Sequence, residues 1–240
     1  MDSGIWVMIT VLTSTFVYSL AGFANALIAM PLLTAILGIR IASPLMSIVS
    51  VLSQVFQVTR YRQQINILAL KHLIIPSAVM VPFGVLVLRQ ASEDVMRTIL
   101  GLLILFYVGY KLSGWQLRME TRRWAWLLGG LSGALHGAFN TPGPPVVVYG
   151  DARQWEADEF RSKLATLFLV SSSINLVSNI SLGNITEVVL QNFMWALPGG
   201  VMGLFLGKWM DQFVDQEIFR KIVLFLLVVL GARLALSTIF

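Results

Sequence analysis

Uncharged, apolar stretches follow one another along this chain so closely that its polar positions mark the elements. No charged residue lies between Asp2 and Arg40. At 1.5 Å per residue that run would make a helix of roughly 50 Å, against a hydrocarbon core of about 30 Å. One straight crossing cannot use it all. The small and polar residues from Gly22 to Asn25 mark the expected break, leaving helices over about 5–20 and 24–38. The same pattern predicts helices at about 43–59, 67–88, 95–113, 123–138, 143–151, 162–181, 187–209 and 217–239, five pieces in each half. A reading that merges the first pair of each half counts eight spans instead of ten.

The two halves follow the same course. Each opens with an apolar segment interrupted by small and polar residues, Ala21-Gly22-Phe23-Ala24-Asn25-Ala26 in one and Gly137-Ala138-Phe139-Asn140-Thr141-Pro142-Gly143-Pro144-Pro145 in the other. Downstream, Gln57 falls opposite Asn175, Asn66-Ile67 opposite Asn184-Ile185, Pro76 opposite Pro198, and Arg97-Thr98-Ile99 opposite Arg220-Lys221-Ile222. The expected organisation is a first transmembrane repeat over 1–113, a basic cytoplasmic linker over 114–123 and a second repeat over 124–240. Internal symmetry with broken hydrophobic segments is the sequence pattern of secondary transporters.

Charge selects the topology. With five pieces per half and the N-terminus outside, one face holds Arg60, Arg62, Lys71, Lys111, Arg118, Arg122, Arg123, Arg153, Arg161, Lys163, Lys208, Arg220 and Lys221, and the other holds Arg40, Arg89 and Arg97. Four crossings per half would divide the first set between the two faces. Because basic residues accumulate on the cytoplasmic side, the sequence predicts inverted repeats with a periplasmic N-terminus. The predicted fold is an all-α polytopic membrane protein, each repeat a broken helix pair followed by three spanning helices.

Composition narrows the function. The 240 residues are 57% hydrophobic and 12% charged, and no stretch is long enough for a separate soluble domain. The net charge of +5 goes to membrane orientation, so no nucleic-acid partner is expected. With no cysteine, thiol catalysis and thiolate metal sites are excluded. The sequence shows no metal-ligand cluster, nucleotide-binding loop or nucleophile–base pair, so neither an enzyme nor a resident metal or cofactor is expected.

The run Ala21-Gly22-Phe23-Ala24-Asn25-Ala26-Leu27-Ile28-Ala29-Met30-Pro31-Leu32-Leu33, its counterpart after Gly137 and the matching tails resemble the sulfite exporter TauE/SafE family of membrane transporters. The resemblance covers essentially the whole chain. It implies a multi-pass protein of the bacterial inner membrane that moves a small sulfur-containing anion such as sulfite or an organosulfonate, as an exporter. Where the family has a glycine-rich turn after the Phe, this chain has Ala24-Asn25-Ala26 and Asn140-Thr141-Pro142-Gly143.

A helix that begins inside the bilayer presents N–H groups without intrahelical partners and a partial positive charge, which suits an anion. The substrate-binding candidates at the breaks are therefore Ala24, Asn25 and Ala26 in the first half, and Asn140, Thr141 and Gly143 in the second. Packing of helices against small residues is the alternative reading of these positions. Gln54 and Gln57 on the third helix, with Ser172 and Asn175 on its counterpart, turn inward because amides in lipid need partners. They serve either the substrate or neighbouring helices. His136 beside the second break can carry a proton or bond a carbonyl freed by the break. Lys163 can attract an anion or pair with a nearby carboxylate. The seven tryptophans read as headgroup anchors. Gly199, Gly200, Gly203 and Gly207 form a small-residue stripe suited to packing within the chain or to a homodimer.

These readings converge on alternating access around two broken helix pairs, driven by a proton or the membrane potential, with the lipid bilayer and a small anion as partners. An anion channel of the same fold and a non-transporting membrane enzyme or assembly factor are the alternatives.

Overall fold

The computed structural model describes residues 2–60, 70–115, 117, 119 and 121–236. Among these the chain forms ten helices: α1 (Asp2–Ala21), α2 (Asn25–Leu37), α3 (Ile39–Arg60), α4 (Lys71–Gln90), α5 (Glu93–Ser113), α6 (Arg122–Phe139), α7 (Gly143–Ala152), α8 (Ala157–Ser181), α9 (Glu187–Met210) and α10 (Gln216–Leu236). Six of them are long and apolar enough to cross a membrane: α1, α3, α4, α5, α8 and α9. Helices are the expected solution, because a backbone in lipid must satisfy its own polar groups. Pro31, Pro44, Pro76, Pro82 and Pro198 all lie inside helices. The breaks fall at 22–24 and 140–142, where the small and polar residues stand. The segment 61–66 after α3, the first residues of the predicted 67–88 helix and the last of the 217–239 helix lie outside the described residues.

Glycine lets the longest pairs approach. On α6, a Cβ at Gly129, Gly133 or Gly137 would lie 2.6, 2.2 or 2.0 Å from the carbonyl oxygens of Leu73, Ser77 and Val81 on α4. On α9, a Cβ at Gly199, Gly203 or Gly207 would lie 2.4, 2.4 or 2.7 Å from those of Met8, Leu12 and Phe16 on α1. The Gly199, Gly203 and Gly207 stripe therefore serves packing within the chain, the first of its two readings, with α1 seated on it.

These neighbours also give the helix directions. Residue numbers rise together in α1 beside α9 and in α4 beside α6, so each pair is parallel. α5 and α10 are antiparallel, with Gly101 against Ala235 and Ile104 against Gly231. Short connections at 91–92 and 211–215 join α4 to α5 and α9 to α10. Followed from helix to helix, α1 and α6 enter from opposite faces. Exchanging α1–α5 with α6–α10 turns the α1/α9 pair into α6/α4 and the α3/α9 pair into α8/α4, while α3/α8 and α5/α10 map onto themselves.

The face carrying the α5–α6 linker holds Arg60 and Arg161 around Asp211, at 2.5 and 3.7 Å, and the Lys111–Asp151 ion pair. On the opposite face Glu93 accepts from the backbone of Ile39 at 3.0 Å and from Arg97 at 2.7 Å, and Arg89 donates to the carbonyl of Leu182. Arg233, outside the charge division drawn from sequence, shares a crevice with Arg97. Six tryptophans are exposed, consistent with anchoring. Trp155 is the exception: it is partly buried, edge-on to Tyr149 and Phe160 with the Lys163 ammonium 4.3 Å from its ring centre.

Candidate functional site

α2 starts at Asn25 and α7 at Gly143, and both starts line one small cavity. Three residues of each opening matter. Asn25, Ala26 and Leu27 precede the first α2 hydrogen bond, from the N–H of Ile28 to the carbonyl of Ala24, so their N–H groups have no intrahelical acceptor. At α7, Pro144 and Pro145 have no N–H to give, which leaves the N–H of Gly143.

The turns differ in how they are made. Ala24 sits at φ 78° and ψ 1°, where a side chain normally costs about 1–2 kcal/mol. Asn140 adopts φ 55° and ψ 23°, a conformation its residue type tolerates better. Ala24→Gly should therefore raise stability by about 1 kcal/mol, read as a higher thermal unfolding midpoint in detergent.

Of the sequence candidates, Ala24, Asn25, Ala26, Gln54, His136, Asn140, Thr141, Gly143 and Ser172 all line this cavity. Gln57 and Asn175 do not. Each lies behind it, donating from its amide to a carbonyl of the helix that ends at the break: Gln57 to Tyr18 at 3.3 Å and Asn175 to His136 at 3.1 Å. The ring of His136 meets the Ser172 hydroxyl at 3.2 Å instead of a freed carbonyl. In the first half the Tyr18 hydroxyl donates to Gln54 in the same manner. His136, Ser172 and Asn175 each stand 118 residues after Tyr18, Gln54 and Gln57, so both halves build one hydrogen-bond pattern with different residues.

Asn175 also donates to Asn140 Oδ1 at 2.8 Å, and Asn140 in turn donates to the carbonyl and hydroxyl of Ser43 at 2.8 and 3.0 Å. Asn179 donates to Asn175 Oδ1, and Asn184 to Asn179 Oδ1, so an amide ladder runs from the end of α8 to the second break. Asn175→Leu would leave the His136 carbonyl and Asn140 Oδ1 without this donor. A loss of about 3 kcal/mol is expected, measured by thermal unfolding.

Other polar groups on the cavity have no partner. Both amide atoms of Asn25, the Thr141 hydroxyl and His136 Nδ1 are buried without a hydrogen bond, although buried polar groups are nearly always paired. The cavity itself is about 20 Å³, room for about one water. Tyr18, Phe23, Leu27, Ser50, Pro142 and Phe168 complete the lining and were not among the sequence's site residues. Two had a signal: Ser50 stands one turn before Gln54, and Tyr18 is a hydroxyl in an apolar helix, which needs a partner. Among the described residues no group of three or more His, Asp or Glu could hold a metal.

A helical membrane bundle with two interrupted helices meeting at a polar cavity has the architecture of a secondary transporter. The chain belongs to the sulfite exporter TauE/SafE family, whose model matches residues 7–234. It is also similar to the probable inner membrane transporter protein TsaS of Comamonas testosteroni, with 28% identity over 106 residues. That match spans 44% of this chain and 44% of the relative's length. No solved structure matches the chain.

Proposed function

We propose that this protein is a secondary transporter that exports a small sulfur oxyanion, sulfite or an organosulfonate, across a bacterial inner membrane. The observation that carries this reading is the convergence of two broken-helix starts and the unpartnered Asn25, Thr141 and His136 groups on one cavity. Free N–H groups, an amide and a hydroxyl are the donors a tetrahedral or pyramidal oxyanion accepts, and the helix starts add partial positive charge. Family membership and the name of the Comamonas relative support the substrate class and the membrane.

The two halves are, in this reading, inverted repeats over 1–113 and 124–240 joined by a cytoplasmic linker, with the N-terminus in the periplasm. Their opposed directions and the shared 118-residue hydrogen-bond spacing support the inverted repeat, and the excess of basic residues on the linker face supports the orientation. Alternating access is favoured over an open channel by the size of the cavity, which is too narrow for a hydrated anion to pass. Binding accompanies widening of the site, and a proton or the membrane potential drives the cycle, with His136 the candidate proton carrier. The chain's role is transport without covalent chemistry.

The test is flux of radiolabelled sulfite, sulfate, thiosulfate and sulfoacetate in proteoliposomes, with and without a pH gradient and clamped voltage. Gradient-driven accumulation of one sulfur anion is expected, and no flux of any would overturn the reading. A single cysteine placed between positions 60 and 66 should label only from the cytoplasm, and ready labelling in intact cells would reverse the orientation.

A further inference from the structure

A second, larger cavity lies on the linker face, and it is basic. It measures about 360 Å³ and is lined by the starts of α4 and α6, the end of α7 and the first turns of α8, with His72, Arg122, Arg153 and Lys163 among its residues. No lining residue is acidic. Of the carboxylates close by, Glu159 is paired with Lys163 at 2.5 Å and Asp151 with Lys111. Arg122 and Arg153 have no ion-pair partner among the described residues. His72 Nδ1 is buried without a hydrogen bond.

One aromatic layer separates this cavity from the central site. Trp155 lines the basic cavity and meets Phe160 edge-on at 6.3 Å between ring centres, and Phe160 meets Phe23 at 6.5 Å. Phe23 lines the central cavity beside Asn25, and its ring lies 3.9 Å from where a Cβ on Gly143 would stand. The Lys163 ammonium stands over the Trp155 ring, so the outermost aromatic of the layer already faces positive charge.

We propose that the basic cavity is a second anion-binding site, a vestibule that collects small oxyanions on the linker face before they pass the Phe23–Phe160–Trp155 layer. This rests on the transport reading for its purpose, though not for its binding chemistry. Arg122 and Arg153 are exposed at the mouth of this cavity; like-signed side chains lining a cleft concentrate counter-ions and raise association rates by about 10-fold or more, and the effect falls steeply with salt. Arg122 and Arg153 supply planar donors suited to an oxyanion, while Lys163, already paired with Glu159, lines the inner wall.

Trp155 makes the site readable without transport. Iodide, an anionic quencher, should quench the Trp155 component of fluorescence, taken as wild type minus Trp155→Phe, several times more strongly than neutral acrylamide does. Sulfite should protect it. Arg122→Gln/Arg153→Gln should remove the iodide preference and leave acrylamide quenching unchanged. In proteoliposomes the same double variant should raise the half-saturating sulfite concentration about tenfold at low salt, with the difference closing at high salt. Equal iodide quenching in the double variant and the wild type would overturn the vestibule. Preferential quenching and sulfite protection in a protein that carries no flux would keep the vestibule and sink the transport reading. If the double variant does not fold, Arg153→Gln alone should lower iodide preference by about half, and no change there would also overturn the proposal.

Discussion

Asn25→Leu should abolish or severely slow anion flux while making the protein more stable. The two effects have one origin. Both amide atoms of Asn25 are buried at the start of α2 and bond to nothing, a condition that costs about 1–3 kcal/mol for each group. A leucine of similar size removes that cost, so the thermal unfolding midpoint should rise. In a loaded site the amide donates to an anion, and a hydrogen bond to a charged group contributes about 1.5–3 kcal/mol, or 10- to 150-fold in affinity. Asn140→Leu should also remove flux, but it should lower stability, because Asn140 holds Ser43 and accepts from Asn175. Measuring flux and unfolding on the same preparations separates the two. Unchanged flux in both variants would remove the breaks from the substrate path, and a fall in stability for Asn25→Leu would mean that the amide has a structural partner.

The second large effect is mechanical. Gly137→Ala should destabilise the bundle by about 3 kcal/mol or more, because the new methyl would meet the Val81 carbonyl at 2.0 Å and the Val85 nitrogen at 2.8 Å. The obstacle is backbone, which cannot rotate away as a side chain can. Gly203→Ala should behave alike against Leu12 and Thr15. Gly109→Ala is the control, since nothing lies within 4 Å of its added methyl and a helical glycine-to-alanine change is favourable. The yield of monodisperse protein after extraction and its unfolding midpoint report the result. Equal midpoints for the variants at 109 and 137 would mean that α4 and α6 do not pack so closely.

Much of this architecture was legible because lipid leaves few options. An apolar run either spans or breaks, and the breaks at Gly22–Ala24 and Asn140–Pro142 stand where small and polar residues interrupt it. The site was legible where a polar side chain has no reason to be in lipid, as with Asn25, Gln54, Asn140 and Ser172. Of the two readings open for Gln57, the structure shows the bond to a neighbouring helix: three residues is near one face of a helix, yet it advances the side chain about 4.5 Å along the axis, enough to take it from the cavity to the Tyr18 carbonyl. Asn175 follows the same geometry relative to Ser172. Phe168 gave no distinct signal, because an aromatic in an apolar helix reads as core until its neighbours are known. The glycine stripes were visible as stripes, but which helix they admit is a tertiary fact.

The correspondence between the halves is incomplete, and under the proposed alternating-access cycle its flaws would bias the resting equilibrium between the two states. A rocking carrier built from inverted repeats reaches its second state by letting each half adopt the other's posture. Were the halves identical, the two states would be mirror descriptions of one energy. Here one hinge is pinned by Tyr18, Gln54 and Gln57, the other by His136, Ser172 and Asn175, and a single proline-rich arm is set against an arm with free donors. A bias of only 1.4 kcal/mol between the postures sets their resting ratio near tenfold. In the proposed cycle the gradient would still decide the direction of net movement, while those few unlike pairs would set which doorway stands open in the idle protein.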